Sequence, residues 1–353
     1  MLPEVSELQP WLAQWLPSPI IKMDAITSDA SVRRYVRIVC QPSTFILMLA
    51  PPDDVAAQRF IKLAQALSAQ GVLVPRVLAY HSTHGAMLLD DLGDTHLLRS
   101  DYATNAAAFA QSFTHYQAAL RLLPQIRALK QVAPDEPLPI FDAAFMQREL
   151  DLFFQWFVNA HLQLTFNDVE HDMWQQCFNL LIDSALAQPY AGMHRDFHGR
   201  NLLVQSDERL AVIDFQDAVL GPVTYDMVSL LKDCYIQWPE DVVATWRAHC
   251  LSQLQAEGHC VAISAAEFQR MLDWMGLQRH LKVLGIFARL HHRDGKSGYL
   301  ADLPRVVFYV ADVLQRYSQF TACSRWFSEH VLVHYPMVQT RLSDAAKGQT
   351  CEP

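Results

Sequence analysis

Two hydrophobic rhythms divide the chain. Up to about residue 90 the apolar positions fall in short runs. Beyond about residue 105 they recur every three or four residues. Tyr35-Val36-Arg37-Ile38-Val39 alternates in part and Phe45-Ile46-Leu47-Met48-Leu49 is continuously apolar, which predicts a pair of strands. Residues 55–69 read as a helix that follows Pro51-Pro52-Asp53-Asp54, with Asp54 as N-cap and Gly71 as its stop. Val77-Leu78-Ala79-Tyr80 and Ala86-Met87-Leu88-Leu89 are two more predicted strands, turned by His81-Ser82-Thr83-His84-Gly85. Ahead of them, residues 8–16, with Trp11 and Trp15 four apart, suit a short amphipathic helix. Helical periodicity then covers 105–123, 142–159, 168–187, 226–234, 241–256, 265–290 and 303–319. The pattern predicts an α+β protein with a small β-rich N-lobe over 1–93, a larger helical C-lobe over 94–342, and a polar, frayed tail over 343–353.

One interval breaks the helical run. Leu202-Leu203-Val204 and Leu210-Ala211-Val212-Ile213 are short apolar stretches joined by Gln205-Ser206-Asp207-Glu208-Arg209, so a hairpin is expected. Such a hairpin brings Asn201 and Asp214 to the same end. Just before it stands His194-Arg195-Asp196, and Asn201 follows Asp196 by five positions. An Asp, an Asn five residues on and a strand-borne Asp-Phe form the order in which phosphoryl-transfer enzymes set their acceptor base and two Mg²⁺ ligands. These would be Asp196, Asn201 and Asp214. The chemistry suits them, because Mg²⁺ takes hard oxygen donors and leaves its other positions to nucleotide phosphates and water. A rival reading makes His194, Asp196 and His198 the transition-metal ligands of a hydrolase, but it leaves Asn201 and Asp214-Phe215 without a role.

Composition narrows the partners. The chain of 353 residues is 51% hydrophobic and 18% charged, which fits a compact globular protein. Its net charge of −9 argues against a broad nucleic-acid surface, and no run approaches a membrane span. Seven scattered cysteines without a C-x-x-C pair read as reduced thiols, and the first residues lack the basic and apolar regions of a secretory signal. A cytoplasmic location is the expectation.

The motif residues, with Asp29-Ala30-Ser31-Val32-Arg33-Arg34-Tyr35, Leu88-Leu89-Asp90-Asp91-Leu92-Gly93-Asp94, residues 212–235 and residues 278–290, resemble the aminoglycoside/choline phosphotransferase branch of the protein-kinase-like fold. The stretch 278–290 and Asp214-Phe215-Gln216-Asp217-Ala218-Val219-Leu220-Gly221-Pro222 are similar to its anomeric amino-sugar kinases of peptidoglycan recycling. The resemblance implies a bilobal kinase-like architecture, with ATP and Mg²⁺ as cofactors and adenine between the lobes. It implies transfer of the γ-phosphoryl group to the anomeric hydroxyl of N-acetylmuramate or N-acetylglucosamine. Other acceptors within the branch are choline and aminoglycosides, and a nucleotide-binding pseudokinase is the reading from outside catalysis.

Two departures stand out. No G-x-G-x-x-G loop exists, so Thr27-Ser28-Asp29-Ala30-Ser31, with Ser28 and Ser31, is the expected phosphate-facing turn. Met48 stands where a strand lysine is expected, which leaves Arg33, Arg34 or Arg37 to meet phosphate charge or to form a solvated strand face. Asp91 and Leu92 would offer backbone groups to adenine, or form a simple inter-lobe turn. For the acceptor, residues 279–296 hold many cations against the single acid Asp294. Arg279 and Lys282, three apart on one helical face, are candidates for a sugar carboxylate, the alternative being a solvated helix face. Asp217 and Glu149 are candidates for sugar hydroxyls, although the aromatic helix around Glu149 also reads as core. For Asp226 the resemblance implies a structural role, tying the loop after Gly221-Pro222 to the catalytic segment.

Overall fold

A computed structural model describes residues 4–26, 33–98, 101 and 105–349. Backbone contacts group the chain into two compact units, one of residues 1–138 with 199–218 and the other of 139–198 with 219–353.

The first unit is built on a five-stranded antiparallel sheet of order β1-β2-β3-β5-β4, formed by β1 (Lys22–Ile26), β2 (Arg34–Val39), β3 (Thr44–Leu49), β4 (Val77–His81) and β5 (Ala86–Asp90). Alternation sets the register: Val36 pairs with Leu47 and Ile38 with Phe45. Val36, Ile38, Leu47, Leu49 and Leu88 turn to one face, where Leu8 and Leu12 cover them. β1 was not legible in the sequence, because Lys22-Met23-Asp24-Ala25-Ile26 carries neither a continuous apolar run nor a β-branched core. The helix Asp54–Ala69 buries Ala57, Phe60, Leu63, Ala64 and Leu67, a stripe at three- and four-residue spacing. Its N-cap is Asp53 rather than the expected Asp54: the Asp53 carboxylate accepts the Ala56 N–H at 3.1 Å. A short pair, β6 (Gln131–Ala133) and β7 (Glu136–Pro137), follows. The expected hairpin is present as β9 (Leu202–Val204) and β10 (Leu210–Val212), with Val212 opposite Leu202.

The second unit is helical. Its axis is the helix Ala265–His292, capped by a reciprocal Ser264–Glu267 box and buried over most of its length. The helix Ala143–Leu152 packs on it and continues as a π-helix over Phe153–His161. The close approach requires Gly285. A Cβ there would overlap the backbone carbon and oxygen of Leu152 and lie 2.7 Å from its Cβ. Among the described residues of this unit the sheet component is one antiparallel pair, β8 (Tyr190–Met193) and β11 (Val219–Pro222), in which Met193 faces Val219. Neither strand was anticipated, since each is four residues long and contains glycine. The tail expected to fray from residue 343 has a helical backbone as far as Gln349. Among the described residues no helix is long and apolar enough to cross a membrane.

Gly285→Ala should lower stability by about 1–3 kcal/mol, the usual cost of overpacking a core. The check is a lower urea midpoint at unchanged m-value; an unchanged midpoint would mean that the helices cross less tightly at Leu152.

Candidate active site

Asp196 lies in the segment that leaves β8, and three groups fix the backbone before it. Asp226, buried in the helix Tyr225–Leu231, accepts the N–H of His194 at 2.6 Å and of Arg195 at 3.0 Å. Burial raises the Asp226 pKa against the opposing charge of His194 and those two bonds. Arg195 adopts a left-handed backbone, with φ of 77°, which costs a residue with a side chain of order 1–3 kcal/mol. Its carbonyl accepts from Arg279 Nη1 at 2.9 Å. Its guanidinium donates to Glu149 at 2.7 Å and lies 4.7 Å from the ring centroid of Phe145.

Around this segment runs a charge network. Glu149 Oε1 takes both Arg195 Nη2, at 2.7 Å, and Lys282 Nζ, at 3.0 Å, while Oε2 accepts from Gln278 at 3.2 Å. Lys282 also donates to the Tyr225 hydroxyl at 3.1 Å. Burial opposes the charge on Glu149, yet Lys282 and Arg195 hold its pKa below the usual carboxylate range. Asp196 is 38% exposed and sits 3.5 Å from Arg279 Nη1. Burial pushes its pKa up, but the charges of Lys282 and Arg279 outweigh that and hold it well below the usual range. The carboxylate is therefore ionised at neutral pH. The sequence offers Glu149, Arg279 and Lys282 as acceptor contacts, and the structure places all three inside this network. They are 5%, 3% and 5% exposed; Glu149 and Lys282 bond to each other, Lys282 to Tyr225, and Arg279 to the Arg195 carbonyl.

In the first unit, the β9–β10 ladder extends one step further, as Ile213 N–H donates to the Asn201 carbonyl at 3.0 Å. Asn201 and the exposed Asp214 thus leave the same end of the hairpin. Asp214 is left-handed, with φ of 63°, and its Oδ1 accepts the Gln216 amide at 2.7 Å. The carboxylate so has a set orientation. Phe215 is fully buried against Phe60 at 4.8 Å, and Arg59 donates to the carbonyls of Gln216 and Ala218 at 3.2 and 2.8 Å. These contacts tie the turn to the helix Asp54–Ala69. Arg59, Phe60, Gln216 and Tyr225 escaped the sequence reading. The one available signal was an Arg-Phe pair at the edge of an apolar stripe, which by itself reads as core. Among the described residues no three His, Cys, Asp or Glu side chains gather in a way that could hold a metal ion. A carboxylate and a carboxamide suit Mg²⁺ whose remaining positions are filled by phosphate and water.

The nucleotide candidates scatter. Ser28 and Ser31 lie outside the described residues. Arg33 and Arg34 are half-buried at the start of β2. Arg33 sits 5.9 Å over Phe60 and, with Asp214, acts on the Tyr35 hydroxyl: burial raises that pKa, Arg33 opposes, and Asp214 adds. Arg33 therefore shares a neighbourhood with Asp214. Arg37 does not, because it forms ion pairs with Asp91 at 2.7 Å and Asp94 at 2.9 Å. The Asp91 pKa falls although burial resists, through Arg37 and the Gly93 N–H. The Leu92 carbonyl accepts from Gln205 at 2.9 Å, and Met48 is buried, with Met87 as its partner on β5. Asp217 is exposed on the Asp214 turn.

Known proteins similar to this chain bear on its family and fold. The phosphotransferase enzyme family matches residues 22–262. A Pseudomonas putida protein named N-acetylmuramate/N-acetylglucosamine kinase is 41% identical over 303 residues, 86% of each chain. A Neisseria meningitidis protein of the same name is 37% identical over 317 residues, 89% of this chain and 92% of the relative. Among solved structures, the aminoglycoside phosphotransferase APH(2'')-Ib with ADP bound superposes with a TM-score of 0.56 at 13% identity, covering 87% of this chain and 98% of that one. A Plasmodium vivax ethanolamine kinase gives 0.55 at 11%, covering 81% of each. These likenesses show a protein-kinase-like phosphotransferase fold, and with the family match they show that the chain belongs to the phosphotransferase enzyme family.

Proposed function

We propose that this protein is an ATP-dependent sugar kinase that phosphorylates the anomeric hydroxyl of N-acetylmuramate or N-acetylglucosamine, giving the α-1-phosphate. The observation that carries the substrate is the 41% identity, over 86% of both chains, to a kinase named for those two sugars. In this reading the Asp196 carboxylate orients the acceptor hydroxyl and receives its proton. The sugar oxygen bonds to the γ-phosphorus as the bond to the β–γ bridging oxygen breaks and ADP departs. An Asp held ionised by neighbouring cations suits orientation and late proton capture rather than early abstraction. Asn201 and Asp214 would hold Mg²⁺, which when bound neutralises charge on the phosphates. Arg33, near Asp214, is the cation favoured to replace the missing strand lysine, with Arg34, Ser28 and Ser31 as further phosphate contacts. Adenine would meet the backbone at Asp91 and Leu92, and Asp217 is the remaining candidate for a sugar hydroxyl. The acceptor is a small molecule, and neither nucleic acid nor membrane enters this reading.

³¹P NMR with ATP, Mg²⁺ and each sugar should yield a phosphate coupled to the anomeric proton. Its absence with both sugars, from folded protein that binds ATP, would reject the substrate assignment. Asp196→Ala should cut kcat by about 10²–10⁴-fold while nucleotide binding persists; near-normal turnover would remove Asp196 from the chemistry.

Arg59→Ala should raise the Mg²⁺ concentration needed for half-maximal rate by about 10- to 100-fold, as loss of support behind a metal ligand does. A Mg²⁺ titration at saturating sugar checks this, and an unchanged requirement would mean that the turn holds its shape without Arg59.

A further inference from the structure

Arg195 poses a physical problem inside the second unit. A long charged residue, immediately before the candidate acceptor carboxylate, sits at φ of 77° in a region that favours glycine. Three bonds oppose its relaxation, and they arrive from three different helices. Asp226 holds its N–H, Arg279 its carbonyl and Glu149 its side chain. Phe145, one helical turn before Glu149, adds a ring face under the guanidinium. The Glu149 bond is the unusual one, because a side chain is being used to pin a backbone angle. Glu149 is itself immobilised by Lys282 and Gln278 and has almost no exposed surface.

We propose that Glu149 and Arg279 are positioning residues: by gripping the Arg195 side chain and carbonyl they hold that peptide left-handed and so aim Asp196 at the acceptor hydroxyl. The inference rests on the sugar kinase reading, in which Asp196 meets that hydroxyl. It gives the two residues a task different from contact with the sugar, and it explains why a buried carboxylate and a buried guanidinium converge on one peptide. A side chain that pins a backbone angle becomes dispensable where glycine supplies the angle freely. That is the property to test.

Steady-state kinetics with both sugars and ATP would compare Arg195→Ala, Arg195→Gly, Glu149→Gln, Arg279→Met and the double variant Glu149→Gln/Arg195→Gly, each checked for folding by circular dichroism. Glu149→Gln should lower kcat by about tenfold or more with both KM values changed by less than about twofold. Arg195→Gly should keep about tenfold more kcat than Arg195→Ala, since only alanine retains the left-handed penalty. In the Arg195→Gly background, Glu149→Gln should cost no more than about threefold further. Arg279→Met should reduce kcat equally for the two sugars. Equal kcat for Arg195→Gly and Arg195→Ala would overturn the proposal, as would a rise in sugar KM alone in Glu149→Gln or a loss confined to N-acetylmuramate in Arg279→Met. If Glu149→Gln or Arg279→Met fails to fold, the glycine and alanine pair at position 195, which leaves Glu149 paired with Lys282, decides the matter. Parent protein that turns over neither sugar would instead reject the sugar kinase reading itself, whatever the variants do.

Discussion

The burial of Glu149 is the constraint on which the Asp196 side of the site depends. Two cations, Arg195 and Lys282, end on its carboxylate, and a third, Arg279, lies beside Asp196 and Tyr225. Three positive charges in so little space are tolerable only with anions and hydroxyls among them. Removing one partner of such a buried pair costs about 3–5 kcal/mol, far more than the pair contributes relative to an apolar replacement. Stability alone is thus a weak reason for the arrangement. Its consequence for chemistry is larger: the same cations hold Asp196 ionised and hold the peptide before it in an unfavoured backbone region.

The Asp214 turn meets a similar demand by other means. Phosphoryl transfer needs a carboxylate whose oxygens stay where a cation will bind, and an exposed aspartate on a loop does not stay still by itself. Gln216 fixes one oxygen, Phe215 anchors the turn in the core against Phe60, and Arg59 gathers two of its carbonyls. The helix Asp54–Ala69 contains no glutamate, and β3 presents Met48 rather than a lysine. Between β3 and this helix there is therefore no strand-lysine to helix-glutamate pair like that of protein kinases, and the helix reaches the turn through an arginine and an aromatic ring.

What could be read from the sequence was whatever depends on local spacing. The five-residue step from Asp196 to Asn201, the apolar runs of β9 and β10, and the Phe45–Leu49 run of β3 are written in consecutive residues, so the fold class followed and the candidate site could be proposed. The helix Ala265–His292 was legible within two residues for the same reason. The roles of Glu149, Arg279 and Lys282 were not. Their partners lie 46 to 133 positions away, as with Arg195 for Glu149 and Lys282 for Glu149. A cation-rich helix face looks the same in sequence whether it meets solvent, substrate or a buried acid. Charge count points to a ligand, whereas the burial of these side chains is a fact only the fold supplies. β8 and β11 were missed because four-residue strands with glycine carry too little pattern to outweigh the helices around them.

A shared solution emerges from the two aspartates. Each is attached to a left-handed peptide, at Arg195 before Asp196 and at Asp214 itself. Each of those segments is held by an arginine that reaches from a helix to donate to main-chain carbonyls, Arg279 to Arg195 and Arg59 to Gln216 and Ala218. A guanidinium suits this work because its planar fork carries a permanent charge and several donors in fixed geometry, whereas an ammonium would deliver a single mobile point charge. Donation to a carbonyl restrains the backbone directly, and at Asp196 the same Arg279 also lies 3.5 Å from the carboxylate and helps keep it ionised. In both places the chain that carries the aspartate is fixed through its main chain by a helix-borne arginine, which offsets a strained backbone with bonds that do not depend on the carboxylate itself.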